Sequence, residues 1–526
     1  SCRQHYTEQT TSSMWRVYQG CKSSSINHEL STVPTSSGMT TSVDETAQQL
    51  FTEITPPDTP NDIQQQRISQ IAKLPYHEPD DPLILPSSEE VQAAIDNEKD
   101  KSPGEDGISA NIIKRISSIC PRLFYHLFRK CFQFGIFPQQ WKVSTIKLIK
   151  KANGRYRPIS LLNVIGKIYE KLINDRLMYW LHRHPSGIFA RQFGFTPQVS
   201  AEDSAKEVTA LQKKILDEKK VGIFISLDIS AAFDTAWWDL ILVTLRKYHI
   251  PGNLYRIIDD YLNDRQARLP LCGNTYTKEL ERGCPQGAKC SPLLWNLLYS
   301  NLLKRDFPIG CQIQAFADDA LLAIEGDSVQ ECEAIANCAL EIVAKWGNSN
   351  KLQFNASKTQ AMLTTNRRKL GPGPRLFMNG QRITIVPFMK YLGIILDQKQ
   401  RWNHHVEYIC GKAIRMFHKI KRTTGKEWGL SGETLRTIYE CAIEPMISYA
   451  CSAWADALDK NGIRAKLLQT QRHFALQIIR AYRTVSGRAA RVLADLPPLD
   501  LQLRMWSGRY AVRHGEPPAD LQHIEF

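Results

Sequence analysis

Two adjacent aspartates between apolar runs constrain the fold of this chain more than any other feature. Asp318 and Asp319 separate residues 312–316 from residues 320–324, and each run has the length of a strand and carries no charge. The pattern predicts a β-hairpin with two carboxylates at its tip. Neighbouring carboxylates repel each other and resist burial unless a cation or a hydrogen-bond network compensates them. Taken alone, the pair also fits an ordinary acidic turn, which is the simpler interpretation.

A third acid favours a functional interpretation of this pair. Asp228 directly follows residues 221–227, an apolar run that predicts a buried strand. Three carboxylates at neighbouring strand ends would suit two Mg²⁺ ions, with Mn²⁺ as a substitute, and in-line phosphoryl transfer. We therefore expect Asp228, Asp318 and Asp319 to converge on one metal site.

The charge balance points to a polyanionic partner. The 526 residues include 67 Lys and Arg against 53 Asp and Glu, a formal net charge of +14. Nucleic acid is favoured over a membrane, because no apolar run is long enough to span a bilayer. The first residues do not have the pattern of a secretion signal, and the 13 cysteines form no Cys-x-x-Cys pair. Both observations favour reduced thiols in an intracellular protein.

Composition and periodicity divide the chain into regions. Residues 1 to about 60 are rich in Ser, Thr and Gln, and we predict a largely disordered arm over residues 1–84, with folded sequence beginning near Pro82. Ser87 and Glu90 form a capping-box signature. Apolar periodicity predicts helices over residues 89–99, 111–134, 163–183, 201–220, 402–422, 431–458 and 462–482.

A basic hairpin is expected near residue 150. Residues 141–151 alternate as a strand, residues 152–155 turn the chain, and residues 156–160 return it. Lys151 and Arg157 near the tip would offer two fixed cations for phosphate oxygens. A solvated basic hairpin is the simpler alternative.

A second candidate binding segment is the glycine-containing loop at residues 283–292, which opens an apolar helix. Gln286 and Gly287 within it would present backbone N–H groups and an amide side chain to a phosphate or a base pair. A tight loop before a core helix explains the pattern equally well.

The expected helix at residues 402–422 has an apolar face and a separate basic face. The basic side chains are those of Lys412, Arg415, Lys419 and Arg422. Such a face suits the backbone of a nucleic-acid duplex, and a solvated cationic face is an equally good interpretation. Lys358, taken alone, is most simply surface charge.

Three motifs in this order resemble a reverse transcriptase: residues 227–234 around Asp228, the Gly-Cys-Pro-Gln-Gly loop from Gly283, and Phe316-Ala317-Asp318-Asp319. Finer features are similar to the enzymes of non-LTR (LINE-type) retrotransposons. They are Lys-Ser-Pro-Gly-Glu-Asp-Gly-Ile at 101–108, Tyr-Arg-Pro-Ile-Ser-Leu-Leu-Asn at 156–163 and Pro-Pro-Leu-Asp-Leu at 497–501. The resemblance covers residues 85–510. It departs from the family at residues 288–290, where small and apolar residues are usual and this chain has Ala-Lys-Cys.

The resemblance implies an α+β right-hand polymerase fold with fingers, an antiparallel palm sheet and a helical thumb, preceded by a partly disordered N-terminal arm. The implied divisions are 1–84 for the arm, 85–220 for the fingers with an N-terminal extension, 221–398 for the palm with part of the fingers, and 399–526 for the thumb and a C-terminal extension.

The resemblance also implies a role for individual residues. Asp228 and Asp318 would hold two Mg²⁺ ions with Asp319 in support. Lys151 and Arg157 would be cations that bind the incoming triphosphate, and Phe233 would be the aromatic gate against a ribose 2′-OH. Gln286 and Gly287 would lie against the nucleotide and the template. Lys358 would be the proton donor to pyrophosphate, and Leu392 with Gly393 would form the primer grip.

By the same resemblance, the chain is expected to copy element RNA into cDNA from dNTPs on a DNA primer, in target-primed fashion. We expect the endonuclease domain of the parent polyprotein to be missing from this fragment. The expected location is a cytoplasmic ribonucleoprotein and then the nucleus at integration. An intron-encoded maturase and a catalytically silent RNA-binding scaffold are the alternatives; the scaffold is disfavoured because all three acids are present.

Overall fold

The computed structural model describes residues 32–35, 38–59, 61–150, 156–184, 191–368, 372–422 and 428–515. No helix in these ranges is both long enough and apolar enough to cross a bilayer. The cysteines in the same ranges are free thiols.

Two helices precede the expected start of folded sequence. The elements of this N-terminal region are β1 Pro34–Thr35, β2 Gly38–Met39, α1 Val43–Ile54 and α2 Ile63–Lys73. Ser42 caps α1 by accepting a hydrogen bond from Glu45 N, and Asp62 forms a capping box for α2. Ordered structure therefore begins well before Pro82, contrary to the expectation, because the polar composition conceals an apolar stripe on α1. Residues 1–31 of the expected arm lie outside the described residues.

The helical fingers follow. Their elements are α3 Ser88–Asp96, α4 Ala110–Ile119, α5 Leu123–Phe134, β3 Val143–Lys150, β4 Tyr156–Leu161, α6 Val164–Arg183 and α7 Ala201–Asp217. The capping box of Ser87 and Glu90 is confirmed. The single helix expected over residues 111–134 is wrong, because Pro121 separates α4 from α5; its ring has no N–H to continue the backbone ladder.

The middle of the chain supplies most of the palm. Its elements are β5 Val221–Leu227, α8 Trp238–Lys247, α9 Gly252–Leu262, β6 Gln266–Leu271, β7 Asn274–Glu279, α10 Ser291–Leu303, β8 Cys311–Phe316, β9 Asp319–Gly326, α11 Val329–Ser349, β10 Gln360–Thr365, β11 Phe377–Met378, β12 Gln381–Arg382, β13 Thr384–Ile385, β14 Phe388–Tyr391 and β15 Ile394–Asp397.

Two sheets organise these strands. The finger sheet has the order β4-β3-β6-β7, and the palm sheet has the order β13-β10-β5-β9-β8. In the palm sheet β5 is central and antiparallel to both β9 and β10. Ile223 and Ile225 of β5 pack among the palm and finger helices, whereas Phe224 packs toward the thumb. Burial on both faces explains the uninterrupted apolar run of β5.

The thumb is helical, as expected. It contains α12 Asn403–Lys421, α13 Gly432–Ile438, α14 Glu444–Ser448, α15 Asn461–Ile478, α16 Gly487–Leu493 and α17 Leu499–Arg513. The long helix expected over residues 431–458 is wrong: a π-helical turn at Tyr439–Ile443 leads into the short α14, and the chain then turns at Ala450, whose φ is 52°. Pro445 in the first turn of α14 accounts for the break, because it cannot donate to the preceding turn.

The strap, residues 55–59, joins the N-terminal helices to the rest of the molecule. Asp58 accepts a hydrogen bond from Lys351 Nζ at 2.6 Å, and Lys351 also donates to Thr59 O at 2.8 Å. On the other side, Lys278 Nζ donates to Thr55 O at 2.7 Å. The strap thereby connects the palm after α11 with the end of the finger sheet.

The α+β right-hand arrangement of fingers, palm and thumb is confirmed by these elements. The domain boundaries themselves remain a proposal. The one proposed at residue 399 falls in the loop between β15 and α12.

Candidate active site

The acidic hairpin has the predicted form. Strands β8 and β9 pair antiparallel with Phe316 opposite Asp319, so that Ala317 and Asp318 make the turn. Ala317 has a φ of 58°, which few residues other than glycine adopt. Asp318 therefore projects from a two-residue turn at the end of the central sheet.

Asp228 lies at the same end of the palm sheet. The register of β5 on β9 places Leu227 opposite Ala320, so Asp228 follows directly beside the start of β9. The loop before β10 closes over this point: Asn355 N donates to Asp228 O at 2.8 Å, and Asp228 N donates to Thr359 Oγ1 at 3.4 Å. The same loop carries Lys358, whose Nζ lies 3.2 Å from Asp228 Oδ2.

The pKa of Asp319 responds to the charges of the other two acids. Asp319 is exposed at the turn, and its carboxyl is only partly desolvated. This desolvation, together with the negative charges of Asp318 and Asp228, raises the pKa of Asp319 to about 6. A cation bound nearby would relieve that repulsion.

A cleft of about 840 Å³ opens in front of these acids. Its walls contain most of the side chains predicted for nucleotide binding and catalysis. The predicted residues among them are Arg157, Asp228, Phe233, Gln286, Gly287, Asp318 and Lys358.

The donor set at the cleft suits Mg²⁺. Within the described ranges, no three His, Cys, Asp or Glu side chains are placed to hold an ion by themselves, so the expected three-acid metal site of Asp228, Asp318 and Asp319 is not preformed. Mg²⁺ at polymerase sites needs no such preformed set, because one or two carboxylates bind it together with water and substrate phosphates. Asp228 and Asp318 on one cleft fit that pattern, and Asp319 beside them would contribute negative charge.

Phe233 and Gln286 are fixed by side-chain contacts. The Phe233 ring stacks on Trp295 with centroids 5.4 Å apart and meets the edge of Phe195 at 6.1 Å. Gln286 Nε2 donates to the Asp234 carboxylate at 3.0 Å. Neither the Phe233 nor the Gln286 side chain can therefore reorient without breaking a contact.

Gly287 occupies a position that requires glycine. Its φ is 130°, and a Cβ there would lie 2.8 Å from Ser160 O. The preceding residue is bonded to the same strand, because Ser160 N donates to Gln286 O at 2.9 Å. The loop thus lies directly against β4, the strand that also carries Arg157.

The basic hairpin is only partly described. Strands β3 and β4 pair antiparallel with Lys150 opposite Tyr156, as expected. Arg157 is exposed and borders the cleft. Lys151 lies outside the described residues, so its predicted role stays a prediction.

The predicted primer grip is the tight turn between β14 and β15. Tyr449 OH of the thumb donates to Leu392 O at 3.0 Å, and the Tyr449 ring packs against Gly393. The preceding residue, Tyr391, shares hydrogen bonds with Ser204 Oγ at 2.9 Å and Gln314 Nε2 at 3.1 Å. The grip is therefore tied to the thumb, to α7 and to the acidic hairpin at once.

The basic face of α12 is exposed, as expected. Its members are Lys412, Arg415, Lys419 and Arg422. None of the four has an ion-pair partner in the part of the chain that the structure describes. The opposite face packs into the thumb core through Val406, Ala413 and Phe417.

Two sets of residues at the site were not predicted from the sequence. Glu53 and Ile54 of α1 border the cleft beside Tyr156, although polar composition assigned that region to an arm. Gln192 and Trp295 bond to Ala317 in the acidic turn, and these contacts span long distances in sequence. Gly194, two residues after Gln192, was a local signal of a close approach.

Comparison with known proteins agrees with the motifs. Residues 149–396 match the family described as reverse transcriptase (RNA-dependent DNA polymerase). The chain is 29% identical to a putative 115 kDa protein of the type-1 retrotransposable element R1DM of Drosophila melanogaster. The alignment spans 424 residues and covers 79% of this chain and 40% of that protein. A Pol polyprotein from element R1 of Bradysia coprophila is 28% identical over 428 residues, covering 80% and 42% of the two chains.

A third relative is the RNA-directed DNA polymerase from mobile element jockey of Drosophila melanogaster, 25% identical over 404 residues, with 74% of this chain and 44% of that protein covered. The chain spans less than half the length of these curated relatives. A solved structure of telomerase from Candida albicans with a fragment of telomeric RNA matches at a TM-score of 0.36 and 11% identity, covering 80% of this chain and 69% of that one, a similarity too low to carry an argument. In its matched segment and in its sequence relatives, the chain resembles the reverse transcriptases of non-LTR retrotransposons.

Proposed function

We propose that this chain is an RNA-directed DNA polymerase that extends a primer by two-metal nucleotidyl transfer. The observation that carries the proposal is the convergence of Asp228 and Asp318 on one cleft with Lys358, Arg157 and the Gln286 loop. Carboxylates alone would repel a triphosphate, whereas carboxylates with a bound cation and flanking basic side chains attract it.

When bound, two Mg²⁺ ions would lower the pKa of the primer 3′-OH and neutralise charge on the triphosphate and the leaving group. Asp228 and Asp318 would hold the ions, and Asp319 would add negative potential behind them. Arg157, and Lys151 by resemblance, would bind the phosphate oxygens through charge-assisted hydrogen bonds.

Lys358 would act at the leaving group. Its ammonium lies 3.2 Å from Asp228 Oδ2, so it is already positioned beside the carboxylate that would face the phosphates. A cation at this point stabilises the negative charge that develops on the bridging oxygen, and the ammonium can hand its proton to pyrophosphate.

Selection of the substrate would fall to Phe233 and the Gln286–Gly287 loop. The Phe233 ring, fixed on Trp295, would block a 2′-OH by contact. Gly287 brings main chain close to the nascent pair, because no side chain intervenes. The Leu392–Gly393 turn would hold the primer end, and the basic face of α12 would contact the duplex backbone.

We further propose target priming, in which a nicked chromosomal 3′-OH serves as primer, with the endonuclease supplied by the parent polyprotein. Support comes from the relatives, which are products of the mobile elements R1 and jockey. This would place the chain with its template RNA in the cytoplasm and then in the nucleus at integration.

The test is primer extension on an RNA template with Mg²⁺ and dNTPs. We expect Asp318→Asn to reduce extension by about a thousandfold or more, because a ligand to the ion is removed, while RNA binding survives. The matched control is Asp327→Asn, an exposed aspartate that follows the opposite end of β9, which we expect to leave extension unchanged. Equal extension by the wild type and Asp318→Asn would refute the metal assignment, and RNA binding without extension by the wild type would favour the scaffold.

A further inference from the structure

The turn that carries Asp318 is held by a side chain from a loop more than a hundred residues earlier. Gln192, between α6 and α7, is 2% exposed. Its Oε1 accepts hydrogen bonds from Ala317 N and Gly194 N, both at 2.9 Å. Its Nε2 donates to Ala317 O at 3.2 Å. One amide side chain thus satisfies both backbone polar groups of the residue before Asp318.

Ala317 needs such support. Its φ of 58° lies in the left-handed region, which is unfavourable for a residue with a Cβ and persists only where the surroundings fix it. Trp295 Nε1 adds a second donor to Ala317 O at 3.1 Å. Without these bonds the turn would relax toward a more favourable backbone, and the direction of the Asp318 side chain would change.

The Gln192 loop approaches the turn as closely as main chain permits. A Cβ on Gly194 would lie 2.1 Å from Ala317 N, so only glycine fits. Backbone bonds continue the contact, since Phe193 N donates to Ala315 O at 2.8 Å and Ala315 N donates to Arg191 O at 2.9 Å. The loop is itself fixed, because Asn296 Nδ2 donates to Gly194 O at 2.9 Å.

We infer that Gln192 is a positioning residue for the metal ligand Asp318. It fixes Ala317 in the left-handed conformation and so sets the direction in which the Asp318 carboxylate faces Asp228. The inference rests on the proposed function, because it requires that Asp318 bind a metal ion. Partners that orient a ligand commonly change metal affinity by about ten- to a hundredfold when removed.

A purely structural role would make a different prediction. A buried glutamine that only joins two loops would change stability on substitution and leave metal affinity per folded molecule unaltered. Gln471 of the thumb offers the matched case: it is fully buried, donates to Pro497 O at 2.8 Å and accepts from Leu499 N at 3.1 Å.

The experiment measures Mn²⁺ binding by electron paramagnetic resonance on the full chain with an RNA template and a primer that lacks the 3′-OH, so that no reaction occurs. We expect Gln192→Met to weaken Mn²⁺ affinity about tenfold. Gln471→Met should leave that affinity unchanged even if it lowers the melting temperature equally. Trp295→Phe, which keeps one aromatic ring but removes the five-membered ring with its N–H, is a second variant and should weaken binding several-fold.

Asp318→Asn, measured alongside, separates the two claims. If Asp318→Asn abolishes Mn²⁺ binding while both Gln192→Met and Trp295→Phe bind as Gln471→Met does, the positioning role is overturned and the proposed function stands. If the wild type and Asp318→Asn bind Mn²⁺ equally, the proposed function fails and the inference fails with it.

Discussion

At the scale of single residues, two side chains of the candidate site, Gln286 and Lys358, are held by partners distant in sequence. Asp234 holds Gln286 through its amide, and Lys358 reaches Asp228 because Asn355 anchors its loop there. The Asp, Gln and Gly residues of the site lie in sequence motifs, so they could be predicted from residue type alone. Their partners are polar residues, and only the fold shows that these pairs are in contact.

The gate role of Phe233 leads to a prediction about sugar selection. Phe233→Ala should admit ribonucleotides, because the ring that would contact a 2′-OH is removed. We expect the dNTP-over-NTP ratio of kcat/KM to fall by about tenfold or more, as measured by single-nucleotide extension.

Phe377→Ala is the control for this change. That phenylalanine is 47% exposed on the short strand β11 and does not border the cleft. Its removal should leave selectivity as in the wild type. If Phe233→Ala also retains wild-type selectivity, the gate must lie elsewhere on the cleft wall.

What could be predicted of the site followed from residue type. Carboxylates after apolar strands and a Pro-Gln-Gly loop before an apolar helix are local patterns, and the structure places Asp228, Asp318 and that loop on one cleft. Gln192 and the α1 residues Glu53 and Ile54 could not be predicted in the same way. Their contribution depends on contacts between segments that no local periodicity relates.

At the scale of elements, strands were easier to predict than helix ends. The strand predicted at residues 221–227 coincides with β5, because a strand buried on both faces has one continuous apolar run in its sequence. Helix breaks were missed where apolar spacing continued across them. At Pro121 and at the π-helical turn Tyr439–Ile443 the apolar spacing stays close to helical while the backbone changes.

The exposed face of α12 should govern the salt dependence of duplex binding. For B-DNA, the slope of log affinity against log salt is about −0.9 for each phosphate that a basic side chain neutralises. Changing Lys412, Arg415, Lys419 and Arg422 together to Gln should therefore flatten the slope by an amount equivalent to about two to four phosphates. Fluorescence anisotropy over a salt series measures this change.

A single-residue pair on the same helix provides the control. Lys419→Gln removes a charge from the basic face, whereas Lys421→Gln removes an exposed charge outside it. We expect the slope to change for Lys419→Gln and to stay closer to wild type for Lys421→Gln. Equal slopes for both variants and the wild type would mean that the face is merely solvated.

At the scale of the whole molecule, the strap joins the N-terminal helices to the palm and the finger sheet. Lys351 has a side chain only 1% exposed, and it pairs with Asp58 across nearly three hundred residues. Its ammonium also lies 4.8 Å from the centre of the Trp237 ring. Removing one partner of a buried pair leaves an uncompensated charge, which is far costlier than breaking a surface pair.

Asp58→Asn should therefore lower the free energy of unfolding by about 2–4 kcal/mol, measured by urea denaturation. Asp58→Asn combined with Lys351→Met should recover part of that stability, because the Lys351 charge is gone while Arg282, 4.0 Å from Asp58, keeps its charge. Glu341→Gln, which breaks the exposed Glu341–Lys345 pair, should change the stability far less, because solvent screens a surface pair. A cost for Asp58→Asn no greater than for Glu341→Gln would mean that the strap is not a stabilising connection.

The position of α1 on the cleft wall affects the order in which parts of the molecule unfold on heating. The core around α1 consists of a few side chains of the helix and the finger sheet, whereas the palm and thumb cores are far more extensive. Segments with few buried contacts open first on warming. Glu53 and Ile54 would then leave the cleft while the central sheet is intact, so heat inactivation would precede global melting.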